Sequence, residues 1–184
     1  GVNALGIPEP QVTGLRAAVD FIADLRQASS PGDVPVGRSV VVIGGGMTAV
    51  DAAVQSKKLG ARDVSIVYRR GAEAMSASTY EQEWAQKNGV AIRHWAAPKE
   101  ILAENGAVSG VRFAVTRIDA GKLSETGETF ALAADMVLTA IGQSFVAEPV
   151  GASIALEQGR IRTDEEGRTS HGRIWAGGDC RFGG

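Results

Sequence analysis

The hydrophobic positions of the chain change period as it runs, and each change marks an element. After an extended start carrying Gly6, Pro8 and Pro10, the residues Leu15, Val19, Ile22 and Leu25 fall three or four apart, the spacing of one face of a helix. Ser29-Ser-Pro-Gly-Asp-Val-Pro35 breaks that helix. Val40-Val-Val-Ile43 then forms a short unbroken apolar run, as expected of a strand buried on both faces of a parallel sheet. Gly44, Gly45 and Gly46 turn the chain, and Ala49, Val50, Ala53 and Leu59 mark a helix ending near Gly60. Asp63-Val-Ser-Ile-Val-Tyr68 reads as a second strand.

Strand, crossover helix and strand within about 30 residues make a βαβ unit, which sets two parallel strands side by side with the helix on one face. Ser78 to Lys87 predicts a further helix and Val90 to Trp95 a further strand. From Ile101 to Leu132 the pattern becomes short strands with turns at Glu104-Asn-Gly106 and Thr126-Gly127, a β-meander packed on the sheet as an insertion. Asp135 to Ile141 returns as a buried strand ended by Gly142, and Arg160 to Thr163 and Arg173 to Ala176 are two last strand candidates around the turn Asp164-Glu-Glu-Gly167. The fold class is α/β, a Rossmann-like βαβ dinucleotide-binding domain carrying a β-meander insertion.

Composition narrows the partners. A net charge of -2 lacks the basic excess of a nucleic-acid or anionic-membrane binder, so any anion site must be local. Cys180 is the single cysteine and His94 and His171 are the two histidines, which leaves no internal disulfide and no zinc cluster and fits a reducing cytoplasm. No apolar run approaches the length of a membrane span, and no export signal is legible. Because the chain opens on Gly1 and stops just after a strand signal, it reads as a piece of a longer protein.

Chemistry enters at the glycine turn. Gly44-Gly45-Gly46-Met47-Thr48-Ala49 fits G-x-G-x-x-G/A between a buried strand and a helix, the setting in which that motif has a mechanism. Gly44 allows the tight turn, Gly46 lets the backbone approach a pyrophosphate, and Ala49 permits close helix–strand packing, while N–H groups at the helix start face the phosphates. At the end of the second strand an NAD(H) site would place Asp or Glu on the ribose hydroxyl, but here stand Tyr68-Arg69-Arg70. Two guanidinium groups suit a 2′-phosphate, and an aromatic or arginine plane suits adenine, which favours NADP(H) over NAD(H). The plainer alternative is that the arginines solvate the strand end or pair with Glu73.

With Gly44 to Asp51, Val67-Tyr-Arg-Arg-Gly71, Ala140-Ile-Gly-Gln143 and Trp175-Ala-Gly-Gly-Asp-Cys180 in hand, nearly the whole chain resembles the glutamate synthase small subunit and the flavin-bearing part of dihydropyrimidine dehydrogenase, among the two-dinucleotide-domain flavoprotein reductases. The resemblance implies a linker and helix over 1–36, an NAD(P)H-binding domain over 37–142 and part of an FAD domain over 143–184. It implies electrons passing from nicotinamide to FAD and on through iron-sulfur clusters to a partner domain or subunit. It adds Ala140, Ile141 and Gly142 as backbone neighbours of the nicotinamide cofactor, and Gly178 and Asp179 as contacts to the flavin's ribityl or phosphate part. Met47 and Ser76 depart from the residues common in such proteins. The FAD domain's own glycine fingerprint and the cluster cysteines are absent from the sequence, so this chain is not expected to carry flavin or cluster by itself.

Rival functions leave less trace. A short-chain dehydrogenase would show Tyr-x-x-x-Lys, which neither Tyr68 nor Tyr80 heads, and a methyltransferase would want an acid where Arg69 stands. Glu81, Glu83, His94 and His171 read as surface or interdomain residues rather than catalysts, and Cys180 as a packing residue. A non-catalytic nucleotide-binding regulatory module stays open as the alternative.

Overall fold

The computed structural model describes residues 1–148 and 153–182, and the chain divides into two compact units, residues 4–142 and residues 1–3 with 143–184. The larger unit is built on a five-stranded parallel sheet. Its strands are β1 (Leu15–Ala17), β2 (Ser39–Ile43), β3 (Asp63–Val67), β4 (Ala91–Arg93) and β8 (Met136–Thr139), in the order β1-β8-β2-β3-β4. Between the last two in sequence lies an antiparallel sheet of β5 (Ala96–Glu104), β6 (Ala107–Asp119) and β7 (Lys122–Ala133). Three helices complete the unit: α1 (Ala18–Gln27), α2 (Met47–Lys58) and α3 (Thr79–Lys87).

The unbroken apolar run of β2 explains the layering. Strand side chains alternate between faces, so Val40 and Val42 point into the core shared with the helices, where Phe21, Val54, Ile66 and Leu138 are fully buried. Val41 and Ile43 point the other way, into a second core with Val111, Phe113 and Val137. The central strands of the parallel sheet are thus sandwiched between helices and meander, while the edge strand β4 keeps Ala91 and Arg93 exposed. Ala49, Ala52 and Ala53 let α2 lie close on the sheet. The carboxylate of Asp135 ties the entry of β8 to that of β2 by accepting the N–H groups of Arg38 and Ser39 at 3.0 and 2.9 Å.

Several sequence expectations need correction. The periodicity beginning at Leu15 is not all helix: Leu15–Ala17 is an edge strand paired in parallel with Val137–Thr139, and the helix starts at Ala18. The turn expected at Thr126-Gly127 is a bulge inside β7, with Thr126 to Glu128 set against Val115. The second hairpin turn falls instead at Ala120-Gly121, both at positive φ. The hairpin at Asn105-Gly106 stands where expected, again with both residues at positive φ, the signature of a type I′ turn.

The smaller unit has little regular structure among its described residues. β9 (Leu156–Glu157) pairs with β10 (Arg160–Ile161). Arg173 to Ala176 is no strand, forming only the single bridge between Arg168 and Trp175, while Gly167, at φ +82, closes the predicted turn on the Asp164 carbonyl.

Candidate dinucleotide site

Three of the predicted segments meet at the C-terminal ends of adjacent strands. β2 pairs with β3 so that Ile43 lies opposite Val67, and with β8 so that Ile43 lies opposite Thr139. The residues that follow each strand, Gly44, Tyr68 and Ala140, therefore sit side by side. The Gly44 N–H donates to the Val67 carbonyl at 3.1 Å, and the Ala140 N–H donates to the Ile43 carbonyl at 2.8 Å. This is the edge at which open α/β sheets take their ligands.

The three glycines of the turn differ in what they do. Gly44 adopts φ +148, and a Cβ there would strike the backbone carbonyl of Ala140. At Gly45 a Cβ would lie 2.5 Å from the ring of Tyr68. Gly46 has an ordinary extended φ of -104 as the N-cap of α2, and a Cβ there would meet only the Ser76 hydroxyl at 3.1 Å. Fold geometry thus demands the first two, whereas the space above Gly46 is open toward solvent and a Cβ would fill it. Gly46 offers no side chain to cap α2, and among the described residues the N–H groups of Gly45, Gly46, Met47 and Thr48 have no acceptor. Unpaired donors around a helix start, beneath a glycine with space over it, suit a diphosphate. The side chain of Met47 stands mostly in solvent, and Ala49 is fully buried.

Tyr68 is drawn into the support of this turn. Its half-buried ring lies under Gly45, and its hydroxyl donates to the Ala74 carbonyl at 2.6 Å. The Ala77 N–H closes the same loop onto the Gly45 carbonyl at 3.0 Å. Arg69 and Arg70 are exposed, and neither forms an ion pair among the described residues, with Glu73 or any other acid. Ala140 and Ile141 are half-buried, each against a different core, and Gly142 takes φ +97.

Sequence reasoning missed how the backbone of the arginine pair is held. The carbonyls of Tyr68, Arg69 and Arg70 are all occupied: by the Ala96 N–H at 3.1 Å, the Thr116 hydroxyl at 2.7 Å and the Trp95 N–H at 3.2 Å. The Thr116 N–H in turn donates to the Trp95 carbonyl at 2.9 Å. Trp95 is held at φ +61, which costs a bulky residue about 1–3 kcal/mol and persists only where its surroundings impose it. The strand expected over Val90 to Trp95 ends at Arg93, and nothing in the sequence marks the turn at Trp95 or the bond made by Thr116.

The remaining sequence candidates are carried by other elements. Gly178 and Asp179 belong to the smaller unit, in a short 3-10 turn over Gly178–Cys180. Both are exposed, and Gly178 has open space around a Cβ position. Glu81 closes a capping box with Ser78 at the start of α3, and Glu83 pairs with Lys87. Cys180 donates its thiol to the Gly177 carbonyl.

A parallel sheet layered between helices and a meander, with a glycine turn and a basic segment at its C-terminal edge, is the α/β architecture of the FAD- and NAD(P)-dependent pyridine nucleotide-disulphide oxidoreductases. Residues 2–184 match the family described as pyridine nucleotide-disulphide oxidoreductase, and the chain belongs to that family. It is 33% identical over 202 residues to the glutamate synthase [NADPH] small chain of Escherichia coli, covering 95% of this chain and 42% of that protein. With the NADP(+)-dependent formate dehydrogenase subunit beta of Moorella thermoacetica it shares 30% identity over 186 residues, 92% of this chain and 25% of the other. A thioredoxin reductase from Lactococcus lactis superposes with a TM-score of 0.74 at 28% identity, over 98% of this chain and 55% of that one. The chain thus spans between a quarter and about half of the proteins it is compared with. The expected cofactor pair, NAD(P)H and FAD, is the pair used by this family and these relatives. Among the described residues no helix is long and apolar enough to cross a membrane.

Proposed function

We propose that this chain binds NAD(P)H, with NADPH preferred, at the Gly44–Ala49 turn and presents it for hydride delivery to FAD. The parent would be a cytoplasmic flavin and iron-sulfur oxidoreductase of the glutamate synthase small chain or dihydropyrimidine dehydrogenase kind. One observation carries the reading: the register of β2 against β3 sets the glycine turn, whose N–H groups have no acceptor among the described residues, beside the segment that bears Arg69 and Arg70, neither of which forms an ion pair among those residues. A diphosphate and a 2′-phosphate are the two anionic parts of a single dinucleotide.

The protein's own work in such a reaction is positional. The N–H groups of Gly45 to Thr48 hold the diphosphate, Gly46 keeps its approach clear, Arg69 and Arg70 select the 2′-phosphate, and Tyr68 supports the turn from below. Ala140, Ile141 and Gly142 bring backbone alongside at the neighbouring strand end. When bound, the nicotinamide supplies the hydride and the flavin accepts it. No side chain at this edge has to carry a proton. In the smaller unit, Gly178 and Asp179 would be the contacts to the flavin's ribityl or phosphate part.

A hydrogen bond to a charged group contributes about 1.5–3 kcal/mol, so one arginine bond to the 2′-phosphate favours NADPH about ten- to hundredfold. Titrating wild type, Arg69→Ala and Arg70→Ala with both cofactors should show NADPH affinity falling while NADH affinity hardly moves, with the preference shrinking as salt rises. Equal losses for both cofactors would assign the arginines to the shared adenosine or diphosphate. Wild-type preference for NADH would end the phosphate reading. Absence of NADPH-driven flavin reduction by the intact protein would favour the regulatory module instead.

A further inference from the structure

We propose that Thr116, on the meander sheet, is a positioning residue for cofactor choice, acting through the backbone of Arg69. It rests on the reading of Arg69 and Arg70 as the 2′-phosphate site. Beyond the end of β3 the double-arginine segment has left the parallel sheet, and a segment so placed would ordinarily move with solvent. Here its carbonyls are claimed in succession by Ala96, Thr116 and Trp95. Two of those three bonds come from backbone N–H groups, which no substitution removes short of proline. The middle one comes from a side chain, and it is the shortest of the three at 2.7 Å.

Thr116 is 4% exposed, and its hydroxyl has no other acceptor among the described residues. A buried hydroxyl spent on the carbonyl of an exposed arginine contributes little to a core that valine would fill as well. What it does is fix the peptide from which the Arg69 side chain departs. The same threonine holds Trp95 through its own N–H, so one residue fastens both the arginine segment and the strained tryptophan that fastens Arg70. A guanidinium on an anchored peptide loses less freedom when it grips a phosphate than one on a mobile loop, and the difference appears only for a ligand that has that phosphate.

Thr116→Val keeps the shape and removes the donor, whereas Thr116→Ser keeps the donor. In the intact protein, Thr116→Val should weaken NADPH binding about three- to tenfold, the worth of one neutral hydrogen bond. NADH binding should stay within twofold of wild type, and Thr116→Ser should restore the NADPH value. A merely structural role would lower both affinities together or neither, so the ratio of the two dissociation constants is the readout. Wild-type NADPH affinity in the valine protein, or an equal loss for both cofactors, would overturn the proposal. Should the valine protein not fold, Thr116→Ala carries the same expectation, and failure of both to fold would make Thr116 a fold residue and end the proposal too. The arginine variants separate the two levels. If Arg69→Ala and Arg70→Ala leave the NADPH preference intact, the phosphate reading falls. If they abolish it while Thr116→Val does not, only the role of Thr116 falls.

Discussion

A methyl group added at Gly44 would run into the Ala140 carbonyl, whereas one added at Gly46 would meet a single hydroxyl. The two positions should therefore fail differently. Gly44→Ala, at φ +148 with backbone in the way, is expected to lose about 2–3 kcal/mol of stability, seen as an earlier thermal or urea midpoint. Gly46→Val should melt near wild type and yet bind neither NADPH nor NADH, because its side chain would fill the space proposed for the diphosphate. Unchanged nucleotide affinity in the Gly46 variant would place the cofactor elsewhere. The turn's residues were legible because glycine spacing between strand and helix has a steric cause. Thr116 and Trp95 were not, since their contribution arises from contacts with the segment after β3 made 47 and 25 residues downstream, which no local pattern encodes.

At the scale of elements, the Ala120-Gly121 turn offers a test. Ala120 sits at φ +48 and Gly121 at φ +79 between the paired Asp119 and Lys122, a geometry that asparagine tolerates far better than alanine. Ala120→Asn is expected to stabilise the protein by about 1 kcal/mol, raising the melting midpoint by a few degrees. A lower midpoint would mean that the hairpin is not seated as described. The same turn shows why the meander was placed in sequence while its second corner was not. Alanine gives no turn signal, whereas Thr126-Gly127 gives one and spends it on a bulge. β1 was hidden for another reason. Leu15 belongs to the core on the meander side of the sheet, and Ile22 and Leu25 pack against the core on the helix side, yet their spacing along the chain mimics a single helical face.

For the molecule as a whole, the two units differ in how much of each is explained by its own contacts. The larger one closes two cores around its sheet. In the smaller, Val2, Val146, Leu156, Ile174 and Trp175 stay exposed beside a short run of regular structure. The sequence holds one glycine fingerprint, and it lies in the larger unit. The chain as it stands is therefore expected to bind NADPH and to show no stoichiometric flavin spectrum after purification, and a yellow protein with one FAD per chain would contradict that. The α/β architecture and the glycine turn were readable because a parallel sheet imposes apolar runs and the close approach of Ala140 and Tyr68 imposes glycine at positions 44 and 45. The smaller unit was less so, because bridges such as Arg168 to Trp175 follow no period.

The unequal clearance above Gly44 and Gly46 also bears on how such a chain would drift over evolutionary time. If a descendant gave up the proposed nucleotide and kept only its shape, selection on folding would still hold Gly44 against the Ala140 carbonyl, while Gly46 would face only the Ser76 hydroxyl. The glycine that falls first in a lineage would then date the loss of the cofactor, and a homologue with Gly44 intact and a bulky residue at Gly46 would be a folded relic that has left redox chemistry behind.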